Sequence, residues 1–71
     1  MSWKYEIQPI GENKFYQNGV TFATEDEATR AGKNKFYNWM GANAFRVTEV
    51  DSRDYPVNYR WDNKIGLVSL E

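Results

Sequence analysis

Seventy-one residues suit one domain, and the absence of cysteine and histidine removes disulfides, zinc fingers, iron–sulfur clusters and haem ligation by the usual side chains. A chain this short hides only about 60% of its unfolded surface on folding, so apolar packing must hold the core, and 17% aromatic residues supply large rings for it. Nine basic against ten acidic side chains give a net charge of −1, which argues against a chain whose main task is neutralising phosphates or coating anionic lipid.

The opening Met1-Ser2-Trp3-Lys4-Tyr5 has no basic stretch followed by an apolar run, so no signal peptide is expected and a soluble, cytoplasmic protein is. Trp3, Tyr5 and Ile7 alternate with Lys4 and Glu6, the signature of a half-buried strand. Ser2 is assigned to a frayed terminus. Pro9 to Asn13 collects turn formers, Phe15-Tyr16 resumes a short strand, and Asn18-Gly19 is the strongest two-residue turn signal. Val20-Thr21-Phe22 then extends again.

Thr24-Glu25-Asp26-Glu27 matches the capping box that starts a helix, with three acids at the positive end of its dipole. Ala28, Ala31, Gly32, Phe36 and Trp39 fall on one face at helical spacing, small residues first. That face is expected to pack on a sheet, with Phe36 and Trp39 as core. Gly41 is read as the stop. Phe45, Val47 and Val50 mark a third extended region, and Asp51 to Pro56 a loop. Val57, Tyr59 and Trp61 alternate with Asn58 and Arg60, Asp62-Asn63-Lys64 turns the chain, and Ile65 to Leu70 closes it. The pattern predicts a single α+β domain over residues 1–71. It is drawn as an antiparallel sheet of four to five short strands with one helix on one face, in ββαββ order.

Little in this set can carry catalysis. The usual base and thiol nucleophile are missing. Glu25, Asp26 and Glu27 are explained by capping, and Asp51, Asp54 and Asp62 lack the spaced acids and central glycine of a calcium loop. The five glycines stand singly, so no phosphate-cradling motif occurs. No enzyme, cofactor, metal or membrane partner is expected. Aromatics beside arginines are the more informative feature, since Tyr and Arg are typical of interface centres and aromatic–cationic mixtures of single-strand nucleic-acid platforms. The candidate partner-binding residues are Arg53, Tyr55, Asn58 and Arg60, together with Tyr37 on the outer helix face.

Two resemblances attach to these residues. The Asn18-Gly19 turn followed by Phe22-Ala23-Thr24-Glu25-Asp26-Glu27-Ala28 resembles the strand-to-helix junction of arm-DNA-binding domains of phage-type integrases. Those domains read DNA with a basic sheet face, whereas here Lys4 and Lys14 are opposed by Glu6 and Glu12. That junction, the helix with Trp39, Arg46-Val47-Thr48-Glu49 and Pro56-Val57-Asn58-Tyr59-Arg60-Trp61-Asp62 together resemble small uncharacterised ββαββ proteins of phages and cyanobacteria. The likeness implies a stand-alone ββαββ protein and brings no catalytic residues. The reading that results is a small, phage-related accessory protein acting through protein–protein contact. The rivals are a nucleic-acid-binding module using the sheet face or the Arg53–Arg60 segment, and an enzyme with a carboxylate-bound metal.

Overall fold

A computed structural model describes residues 1–17 and 19–70. The first strand follows from its alternation. β1 (Ser2–Pro9) turns Tyr5 and Ile7 inward, each only 4% exposed. It runs antiparallel to β3 (Ala42–Val50), with Tyr5 opposite Val47 and Ile7 opposite Phe45. On its other side it meets the two-residue β2 (Thr21–Phe22), giving the order β2-β1-β3. The expected strand at Phe15-Tyr16 is reduced to one bridge, in which Ile7 and Tyr16 exchange both backbone hydrogen bonds at 2.8 Å. Of the Asn18-Gly19 turn, Asn18 lies outside the described residues. Gly19 has φ of +79°, a region where glycine is the natural occupant.

The helix begins where the capping box places it. α1 (Glu25–Asn38) is preceded by Thr24 in extended conformation, whose Oγ1 accepts the Glu27 N–H at 3.2 Å and donates to the Glu27 carboxylate at 3.1 Å. Ala28, Ala31 and Gly32 form its buried face. Gly32 permits the closest approach: a methyl group there would stand 2.9 Å from Tyr5 Cβ and 3.0 Å from Phe45 Cδ2. Phe36 packs its ring 5.6 Å from that of Phe45.

The helix end differs from expectation. It stops at Asn38, whose side-chain amide donates to the Asn34 carbonyl at 2.7 Å and occupies an acceptor of the last turn. Trp39 is the C-cap, with φ −116° and ψ 104°. An extended residue no longer follows the helical wheel, so Trp39 leaves the core face and is 39% exposed. It is not the core residue that its spacing suggests. Gly41 is not the stop either, because the chain has already left the helix.

The sheet is also not the single one expected. The order is ββαβββ, with β4 (Tyr59–Asp62) and β5 (Gly66–Ser69) forming a separate antiparallel pair. Asn58 is the reason. Its backbone N–H donates to the Thr21 carbonyl at 3.2 Å, its Oδ1 accepts the Thr21 N–H at 2.8 Å, and its Nδ2 donates to the Gly19 carbonyl at 2.8 Å. One residue, through its backbone N–H and its side-chain amide, therefore satisfies the β2 edge where a ladder of backbone bonds would have continued the sheet. Tyr59 and Trp61 pack against the core from this hairpin. Ser2 is likewise not frayed: it is fully buried, and its Oγ donates to the Tyr55 carbonyl at 2.6 Å.

Candidate functional site

The five residues singled out from sequence have separate local contacts. Arg53 is tied to its own loop. Asp51 accepts its backbone N–H at 2.8 Å and its guanidinium at 2.9 Å and 3.2 Å, and these bonds, the side-chain one foremost, lower the Asp51 pKa. Tyr55 lies over β1, its ring 4.8 Å from the Lys4 ammonium. Asn58 is half-buried, with its amide committed to Thr21 and Gly19. Arg60 is exposed, 3.6 Å from Asp62. Tyr37 stands elsewhere, 73% exposed on the helix.

The outer face of the three-stranded sheet is equally committed. Glu6 lies 3.6 Å from Lys4 and 2.7 Å from Arg46, and the Arg46 guanidinium sits 4.2 Å from the Phe15 ring centre. Lys4 also donates to Gln17 at 2.7 Å. Its cations are thus held by a carboxylate and two aromatic rings.

Two hollows remain. A broad shelf of about 420 Å³ lies between the helix and β4, lined by Arg30, Lys33, Asn34, Tyr37, Trp61 and Asn63. A narrower groove of about 130 Å³ opens beside the helix C-terminus, lined by Tyr5, Ile7, Tyr16, Gln17, Lys35 and Trp39. Its floor is core, Tyr5 and Ile7, while its walls are the exposed rings of Tyr16 and Trp39. Tyr16 is set by its bridge to Ile7, and its hydroxyl donates to the Glu12 carboxylate at 2.9 Å. That bond, with the Glu12 charge, raises the Tyr16 pKa. Lys35 stands at the rim, with no carboxylate within ion-pair distance among the described residues.

Exposed apolar residues continue from the groove. Met40 follows Trp39 and is 97% exposed, and Ile10 is held beside it by the bond from its N–H to the Gly41 carbonyl at 2.8 Å. Tyr16 and Trp39 thus meet at the groove, with Met40 next in the chain and the Ile10 backbone bonded to Gly41. Helical spacing assigns Trp39 to the core, and no sequence pattern singles out the other three as a binding surface. The available signal was Asn38, a residue suited to ending a helix, just before Trp39-Met40.

Elsewhere the acids are structural. Asp62 accepts the N–H groups of Lys64 and Ile65 at 2.8 Å and 2.9 Å, Ile65 foremost in lowering its pKa, and so closes the β4–β5 turn. Among the described residues no three acidic side chains are grouped to hold a metal ion, and no helix is long and apolar enough to cross a membrane. No family model matches this chain, and neither a curated protein nor a solved structure matches it.

Proposed function

We propose that this chain is a non-enzymatic binding module that docks a protein partner at the Tyr16–Trp39 groove. The reading rests on the exposed rings of Tyr16 and Trp39, which wall one groove with a core floor, with Met40 exposed next in sequence to Trp39. Contiguous exposed apolar surface is costly in water and marks interaction sites, and Trp and Tyr are the residues most enriched at interface centres. The partner is a segment that offers a bulky apolar side chain between the two rings and a carboxylate to Lys35. A randomised peptide library displayed against immobilised protein tests this. Enrichment of apolar residues flanked by Asp or Glu is expected, with binding lost on Trp39→Ala and weakened on Lys35→Glu. Selected peptides that bind Trp39→Ala as tightly as wild type would end the reading.

A second reading, nucleic-acid binding, is favoured by the shelf rather than by the sheet face or the Arg53–Arg60 segment. Tyr37 and Trp61 supply rings there, and Arg30 and Lys33 supply cations, the combination that grips single strands. Asp26 sits 2.8 Å from Arg30 and offsets part of that charge. Affinity for a fluorescent oligonucleotide that falls steeply with salt, and is lost on Lys33→Glu, would support it. Absence of binding at low salt removes it.

A further inference from the structure

The free edge of β3 carries an inference independent of the groove. Ladder bonds alternate sides along an antiparallel strand. Ile7 exchanges both of its bonds with Tyr16, on the β2 side of β1. The even-numbered residues of β1 therefore face β3, and their partners Ala44, Arg46, Thr48 and Val50 face back toward β1. This leaves the N–H and C=O groups of Phe45, Val47 and Glu49 pointing away from the sheet. Among the described residues no strand and no side chain meets them.

An edge this long is ordinarily blunted by proline, by a bulge or by charged side chains, lysine above all. From Ala44 to Val50 the strand has neither proline nor lysine, its charges are Arg46, paired with Glu6 of β1, and Glu49, and its register with β1 is unbroken. The core beside it is also unfinished. Tyr5 and Ile7 on the central strand are buried, whereas Phe45 and Val47, on the same face, are only half-buried, as is Phe36 above them.

We propose that β3 pairs antiparallel with β3 of a second copy, making a symmetric dimer with one continuous six-stranded sheet and both helices on one face. Charge disfavours one register. Centring the two-fold axis on Arg46 would oppose two guanidinium groups in the closest type of cross-strand pair, which is unfavourable. Centring it on Val47 sets Arg46 against Thr48 and Phe45 against Glu49. It also engages the outward bonds of all three free residues. A copy of the same strand is the occupant because it matches this edge in length and sets the half-buried Val47 against its own copy. Both grooves stay open, since each lies on the β2 side of its sheet.

Sedimentation and disulfide trapping test the dimer. Wild type is expected at twice the 8.4 kDa chain mass, dissociating on dilution. Glu49→Pro removes one outward N–H without breaking a bond to β1, so it is expected to fold as a monomer. Val47→Cys, in a chain with no other cysteine, is expected to oxidise to a dimer, because facing Cα atoms stand about 5.5 Å apart, within disulfide reach. Glu49→Cys is not, because its two copies are separated by four residues, roughly 13 Å along the strands. A wild type that stays at 8.4 kDa at every soluble concentration overturns the proposal. So does a folded Glu49→Pro that remains dimeric, or, if that variant does not fold, equal cross-linking through Glu49→Cys.

Discussion

The carboxylate of Glu27 accepts the backbone N–H of Trp61 at 3.0 Å, joining the first turn of α1 to β4 across 34 residues of sequence. Its other oxygen takes the Thr24 hydroxyl, so one side chain closes the helix cap and anchors the second hairpin. Glu27→Ala is therefore expected to cost more than Thr24→Ala. Loss of a cap costs about 1 kcal/mol, and hydrogen bonds to a charged group are worth about 1.5–3 kcal/mol. Urea denaturation of the two variants checks the order. Equal losses would mean that the link to Trp61 contributes nothing.

Asn58→Ala is expected to destabilise by about 1–3 kcal/mol, because Thr21, 4% exposed, keeps a buried N–H with no acceptor. Arg53→Ala, at an exposed side chain paired with Asp51 of its own loop, should change stability by less than about 0.5 kcal/mol. Similar melting curves for the two variants would show that Asn58 does not staple β2.

How far these roles were legible in sequence differs by residue. Thr24 and Glu27 lie three apart in one turn, so their reciprocal bonding is written in local spacing. The alternation of Tyr5 and Ile7 likewise reports directly on burial. Asn58 was read as a surface residue because its partners, Gly19 and Thr21, are 39 and 37 residues away, and no periodicity records a side chain acting as a ladder rung. The same holds for Ser2, whose burial depends on the Tyr55 carbonyl. Trp39 differs for another reason. Helical spacing runs one residue past the true end of α1, and a single extended residue redirects the ring.

Gly32→Ala pits two effects against each other. Alanine favours the helix by about 1 kcal/mol over glycine. The added methyl meets Tyr5 Cβ at 2.9 Å, and that atom cannot move without β1. Overpacking of this kind costs about 1–3 kcal/mol. Net destabilisation is expected in thermal melts. A stabilised variant would show that the helix can ride away from the sheet freely.

Acid should weaken the fold through Asp62 and Asp51. Their folded pKa values are depressed, Asp62 chiefly by the Ile65 and Lys64 N–H groups and Asp51 by Arg53. Folding then releases protons in the acid range. The stabilisation is present above the ordinary carboxylate pKa and is lost as pH falls through the depressed values. Asp62→Asn retains an acceptor for the turn but cannot titrate, so its stability should fall less steeply between neutral and acid pH. Urea midpoints with identical pH slopes would exclude Asp62 from the acid response.

Trp39 is expected to behave as a residue of an open surface rather than of the core. The unfolding free energy of Trp39→Ala, set beside that of Phe22→Ala, decides it. Phe22 is 0% exposed, and truncating it is expected to cost about 3–5 kcal/mol. For Trp39→Ala a loss of about 1 kcal/mol is expected, the middle of the range for single substitutions, with the fold retained. A loss as large as that of Phe22→Ala would place the indole in the core and leave the groove without its wall.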